Sequence, residues 1–192
     1  MNKYIYLLLL LSLTLASSLS AQDKLEKESR IKPEEVPAQA MAFIDSLHLP
    51  AKVKWYREEG LEHTTIEAKY TYKKTRYSIE FALEGAIEDA EMELKWEAMA
   101  PAVQKAIKAQ LEQDCDKHSI VKVQEQFTGS RQDLHSLLKT GTIAQGLNIK
   151  FEVVAKCKRQ KDVNLYEYLF DDKGQVLAKS VIVFKNSSHL EY

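Results

Sequence analysis

Two cysteines, Cys115 and Cys157, are the residues with the sharpest chemical content in this chain. They lack the Cys-x-x-Cys spacing of a redox-active thiol pair. In an oxidising compartment an even count favours pairing. Cys115 falls at the end of a predicted helix, and Cys157 on the strand face against which that helix should lie. A helix-to-sheet disulfide is the expectation, and two buried free thiols are the alternative. The five histidines, at 48, 63, 118, 135 and 189, form no metal-binding spacing. No Gly-x-Ser-x-Gly elbow and no phosphate-cradling glycine loop occurs. The acidic residues alternate with apolar ones and read as solvated strand positions. These patterns predict no catalytic residues, no metal, no cofactor and no enzyme.

The remaining chemistry is recognition. Lys54, Tyr56, Arg76, Val154, Lys156, Leu165 and Leu169 share the outward parity of predicted strands. Aromatic and aliphatic groups rimmed by Lys and Arg have the composition of protein-binding hot spots. They predict a partner-binding patch on the open face of a sheet.

The elements that must position these residues come from periodicity. Apolar and polar residues alternate through 52 to 94, which predicts an antiparallel meander with one buried face. The buried set is Val53 and Trp55, then Ile66, Ala68, Tyr70 and Tyr72, then Tyr77, Ile79 and Phe81, then Ala90, Met92 and Leu94. A helix from Val36-Pro37 precedes it, with Phe43 and Leu47 on one face. Pro50 stops that helix, because the residue before proline is pushed out of helical geometry. The plan then recurs. Pro101 opens a helix with Val103, Ile107 and Leu111 in a stripe, and strands follow over 119–127, 148–158, 164–170 and 175–184. Phe81 and Phe170 each stand four residues before a glycine, Gly85 and Gly174. Residues 129 to 147 have no counterpart in the first half and read as an insertion with a short helix near Asp133–Leu138.

The first 21 residues carry one cation at Lys3, an apolar run from Ile5 to Leu15 and the small residues Ala16 to Ala21. That is the pattern of a secretory signal peptide. The run is too short to cross a bilayer, which takes roughly 20 residues. Cleavage is expected after Ser20 or Ala21, with no nearby cysteine to accept a lipid anchor. Residues 22–35 are charged and poor in apolar groups, so they are expected to be a flexible leader. The net charge of −1 argues against nucleic acid as a partner. The domain expectation is a signal peptide at 1–21, a leader at 22–35, a first repeat at 36–96, a second at 97–185 with the 129–147 insertion, and a tail at 186–192.

The Pro-Ala helix, the Lys52-Val-Lys-Trp-Tyr56 stretch and the ending Tyr77-Ser-Ile-Glu-Phe81-x-x-x-Gly85 together resemble the PepSY-like family of exported bacterial proteins, also described as similar to beta-lactamase-inhibitory proteins. The second half lacks the Trp-Tyr pair and has Val123-Gln124 in its place. The resemblance implies an α+β fold of two tandem helix-plus-antiparallel-meander repeats, with helices on one face of the sheet or sheets. It also implies a non-enzymatic role. The expected function is therefore a periplasmic or secreted binding module, without a membrane span after signal cleavage, that binds, or binds and inhibits, an envelope or extracellular protein through its open sheet face. The alternative is a carrier of a small ligand or lipid, with a pocket lined by Trp55, Tyr70 and Phe151 and roofed by 129–147.

Overall fold

The computed structural model describes residues 22–25, 27–60 and 63–183; the expected signal peptide and the 186–192 tail lie outside them. Ten strands form one sheet: β1 (Gln22–Leu25), β2 (Lys27–Ile31), β3 (Lys54–Glu59), β4 (Thr64–Tyr72), β5 (Thr75–Phe81), β6 (Ile87–Glu93), β7 (Lys117–Thr128), β8 (Asn148–Arg159), β9 (Asp162–Asp171) and β10 (Val176–Val183). Their order is β1-β10-β9-β8-β7-β6-β5-β4-β3-β2. From β2 to β10 every neighbouring pair is antiparallel and consecutive in sequence, and β1 joins β10 in parallel. Three helices, α1 (Ala38–Leu47), α2 (Pro101–Asp114) and α3 (Arg131–Thr140), lie in the β2–β3, β6–β7 and β7–β8 connections.

This corrects the expectation of two tandem helix-plus-meander repeats. β6 pairs directly with β7, aligning Ala90 with Phe127, so the halves share a single sheet. The helices are also unevenly divided. Residues 129–147, expected as an insertion, supply α3, which shares a core with α1. Ser130 caps it by accepting from the Asp133 N–H at 3.1 Å, and Gly141 ends it at φ +74°. Leu134 and Leu137 pack into the core with Phe43, and Arg131 lies 4.8 Å over the Phe43 ring. The other core cluster belongs to α2 alone, whose Val103, Ile107 and Leu111 meet Val123, Val153, Tyr168 and Phe170.

Strand parity settles which face is dry. Trp55, Ala68, Ile79, Ala90 and Phe127 stand in one cross-strand row, and all are buried under α1 and α3. Phe81 meets Phe43 edge-on at 5.7 Å and Trp55 at 6.0 Å. Burying one such side chain contributes roughly 1.5–3 kcal/mol. The shared Phe-x-x-x-Gly spacing has a local cause. Gly85 at φ +93° and Gly174 at φ +79° each tuck a turn beneath a helix. A Cβ would come within 2.9 Å of Ala40 N at Gly85 and 2.8 Å of Ala106 Cβ at Gly174.

The end of α2 is fastened twice. Cys115 and Cys157 form the expected disulfide, with Cα atoms 5.4 Å apart. Asp114 accepts from Tyr168 Oη at 3.0 Å and pairs with Lys179 at 2.7 Å. An acidic side chain at a helix C-terminus opposes the helix dipole, and the Lys179 ammonium offsets it. That ammonium also lies 4.6 Å over the Tyr166 ring.

The charged 22–35 stretch, expected to be a flexible leader, forms β1, β2 and a 3-10 turn at Pro33–Glu35. β2 pairs with β3, placing Ile31 opposite Trp55. Leu25 and Lys27 lie two residues apart, at most about 7.6 Å between Cα atoms, yet they occupy opposite ends of the strand order. The two margins of the sheet therefore approach each other at that corner. The sheet bends into a trough with the helices on its convex side.

Candidate binding face

The concave side of the trough carries the outward parity of strands β3 to β9. One cross-strand row runs Tyr56–Glu67–Glu80–Asp89–Thr128, the next Lys69–Ser78–Glu91–Gln126–Lys150, and the third Thr71–Arg76 with Glu93–Gln124–Glu152–Leu169. Between its walls lies a hollow of about 790 Å³. Eight glutamates and five Lys or Arg residues line it, together with Tyr56, Tyr70, Thr71, Tyr77, Ser78 and Gln124.

The acids were expected to be solvated, and the structure corrects this for three of them. Glu67, Glu91 and Glu152 are only 4%, 6% and 8% exposed. No helix covers them; the curvature of the sheet brings neighbouring side chains over them. Burying a charge is costly unless it is paired, and the partners are visible. Ser78 Oγ donates to Glu67. Lys69 donates to Glu28 and pairs with Glu67 at 2.9 Å, and it lies 5.1 Å over the Tyr56 ring. Gln124 Nε2 donates to Glu91 at 2.6 Å, and Lys122 lies 3.5 Å from Glu152. Gln126 Nε2 reaches Asp89 at 3.3 Å and Glu91 at 3.4 Å.

Titration follows from this arrangement. Burial raises the Glu67 carboxyl above its ordinary range, against the opposing pull of Lys69 and Ser78. Burial alone would lower the Lys69 ammonium, but Glu67 and Glu28 hold it above the usual lysine value. Burial, reinforced by Glu152, Glu88 and Glu67, pushes Asp89 up to about 7. Burial, with Glu152, Asp89 and Glu80, holds Glu91 well above the carboxylate range. The carboxylates of Glu28, Glu58 and Glu67 lie within 4.8 Å of one another. Lys69 sits against two of them, Glu28 and Glu67.

The seven residues expected to bind a partner all fall on this face, but in two groups. Lys54, Tyr56 and Arg76 line the hollow; Lys54 and Arg76 are exposed, and Arg76 pairs with Glu93 at 3.3 Å. Val154, Lys156, Leu165 and Leu169 sit on the β8–β9 flank, outside the lining. Val154 is buried, Leu165 and Leu169 half-buried, and Lys156 exposed. Sequence reasoning missed the buried floor of Glu67, Ser78, Glu91, Gln124 and Glu152. Parity placed their strands, and the one further cue was the interruption of acids by Ser78 and Gln124, which hydrogen-bond the carboxylates beside them.

The three residues expected to line a carrier pocket do not come together. Trp55 and Tyr70 belong to the α1–α3 core and Phe151 to the α2 core, each at most 8% exposed. Among the described residues no histidine or cysteine lines the concave hollow. No helix among the described residues is long and apolar enough to cross a membrane.

No protein-family model and no curated protein matches the chain. Solved structures do. A DUF2874 family protein from Bacteroides uniformis ATCC 8492 is 14% identical with a TM-score of 0.52, over 76% of this chain and 89% of that one. A protein from Bacteroides eggerthii DSM 20697, whose description proposes a periplasmic location, is 12% identical with a TM-score of 0.50, over 76% and 88%. A BLIP-like protein from Bacteroides fragilis NCTC 9343 is 16% identical over 80% and 92%, at a TM-score of 0.47. At these identities, the first two likenesses show a shared fold and nothing of a shared partner.

Proposed function

We propose that this chain is an exported, non-enzymatic binding module that takes another protein against the concave face of its sheet. One observation carries the reading. The convex face is closed by three helices, whereas the concave face is a hollow of about 790 Å³ floored by buried polar groups and rimmed by exposed Lys54 and Arg76. Folding alone gives little reason to bury carboxylates there, since buried ionic groups are weak contributors to stability. Recognition does, because fixed polar groups in a concave site confer specificity. The half-buried Leu165 and Leu169 on the flank add apolar area beside the polar floor. A periplasmic or secreted location fits the signal-like first 21 residues and the disulfide.

Site-specific photo-crosslinking tests this. A crosslinker is placed in turn at Lys54, Tyr56 and Leu169 on the concave side, and at Lys105 and Glu112 on the exposed side of α2. The expected result in intact cells is one adduct of discrete mass from the concave positions only. Adducts from the α2 positions alone, or from neither set, overturn the reading.

A further inference from the structure

Gln124 sits on the floor of the trough and is 8% exposed. Its Nε2 donates to Glu91 at 2.6 Å. Gln124 Oε1 is buried and receives no hydrogen bond. Native proteins pair nearly all such atoms. Among the described residues the buried side-chain atoms without a hydrogen-bond partner are Glu67 Oε2, Asp89 Oδ1 and Gln124 Oε1. All three are acceptors and all lie on the concave face; Lys69 faces the first as an ion pair. No buried donor is left over in the same way. The floor is short of donors.

The nearby cations are engaged elsewhere: Lys69 with Glu28 and Glu67, Lys122 with Glu152, Arg76 with Glu93. Glu91 is held by the amides of Gln124 and Gln126, with no lysine or arginine in ion-pair range among the described residues. Glu152 is aligned with Gln124 on the adjacent strand.

Building on the protein-binding role proposed above, we infer that the floor seats an arginine side chain carried on a protruding loop of the partner, its guanidinium donating to Gln124 Oε1 and to the carboxylates of Glu91 and Glu152. Arginine fits better than lysine. Its planar fork carries five donors and is weakly hydrated, suiting a partly dry site with carboxylate and amide acceptors side by side. A loop fits better than a free small cation. The polar floor runs from β4 to β8, four strand spacings or about 19 Å, and needs an occupant of that breadth. A metal ion fits less well, because the acid oxygens crowded together are those of Glu28, Glu58 and Glu67, away from Gln124, and Lys69 already pairs with Glu28 and Glu67.

The test is an NMR titration of the full chain with a cyclic peptide carrying one arginine between glycine and tryptophan. Controls are the same peptide with citrulline for arginine, the same peptide with lysine, and spermidine. The expected result is a saturable shift of the Gln124 side-chain amide, with affinity at least about tenfold above the citrulline peptide, as a charge-assisted hydrogen bond requires. Glu91→Gln should weaken binding about tenfold and Gln124→Met about fivefold, in variants whose thermal melts confirm folding. Equal affinity for the citrulline peptide overturns the inference, as does a floor that spermidine fills as tightly. Shifts confined to acids on the helices overturn it too. The crosslinking result separates the two readings. If concave-face adducts form but the arginine peptide fails to compete them away, the binding module stands and the arginine seat falls. If no concave-face adduct forms, the module itself falls.

Discussion

The two faces of the sheet are made of the same strands and reach similar dryness by opposite means. On the convex side, Ile79, Phe81, Ala90 and Phe127 are excluded from water by helices laid over them. On the concave side, Glu67, Ser78, Glu91 and Gln124 are nearly as inaccessible, yet only the bending of the sheet shields them. A covered apolar face gains from burial. A folded-in polar face spends part of that gain holding carboxylates away from water. Stability should therefore reside on the convex side, and the acidic floor should be a place where substitutions improve the fold.

The largest effect is expected from Phe81→Ala, which removes a fully buried ring touching Phe43 and Trp55. It should cost about 3–5 kcal/mol in urea unfolding. A loss below about 1 kcal/mol would break the comparison. Next comes the disulfide. Replacing Cys115 and Cys157 together by alanine opens a loop of 42 residues. The melting temperature should fall by an amount equivalent to about 2–4 kcal/mol, and the reducing agent that lowers the melt of the parent should leave this variant unchanged.

Asp89 should show the opposite sign. Its folded-state pKa, about 7, lies above its ordinary value of 3.8. Between those values the folded chain keeps a proton that the unfolded chain has lost. This contribution to stability is complete below pH 3.8 and fades as pH rises to 7. Asp89→Asn should thus raise the melting temperature at pH 8 by a few degrees and change it little at pH 4. A uniform destabilisation at both would show that the carboxylate is well served where it is. The smallest effect belongs to Lys27→Ala. It breaks the exposed Lys27–Glu59 pair, 3.0 Å apart at the sheet margin, and should alter stability by no more than about 0.5 kcal/mol.

Much of the convex face was legible in the sequence because it is written at short range. Ile66, Ala68 and Tyr70 alternate at period two, and Val103, Ile107 and Leu111 recur at helical spacing. Those rhythms assign each side chain to the dry side with no knowledge of its neighbours. Cys157 followed the same parity towards the end of α2. The rest depended on distant parts of the chain. Nothing in Glu67 or Glu91 foretells that the sheet will bend enough to enclose them. The strand character of 27–31 comes from the ladder that β3 offers it, so its charged composition pointed elsewhere. The single sheet depends on β6 accepting β7 across the α2 connection, a pairing that alternation allows but does not require.

The segment from Gln22 to Ile31 also bears on the order of assembly. Its partners are β3, some thirty residues later at Lys54–Glu59, and β10, at Val176–Val183 near the other end of the described chain. A ribosome releases β1 long before β10 is made. The earliest strand must wait for the last, and long-range pairings of this kind form slowly. Closing that seam would be the final event of folding.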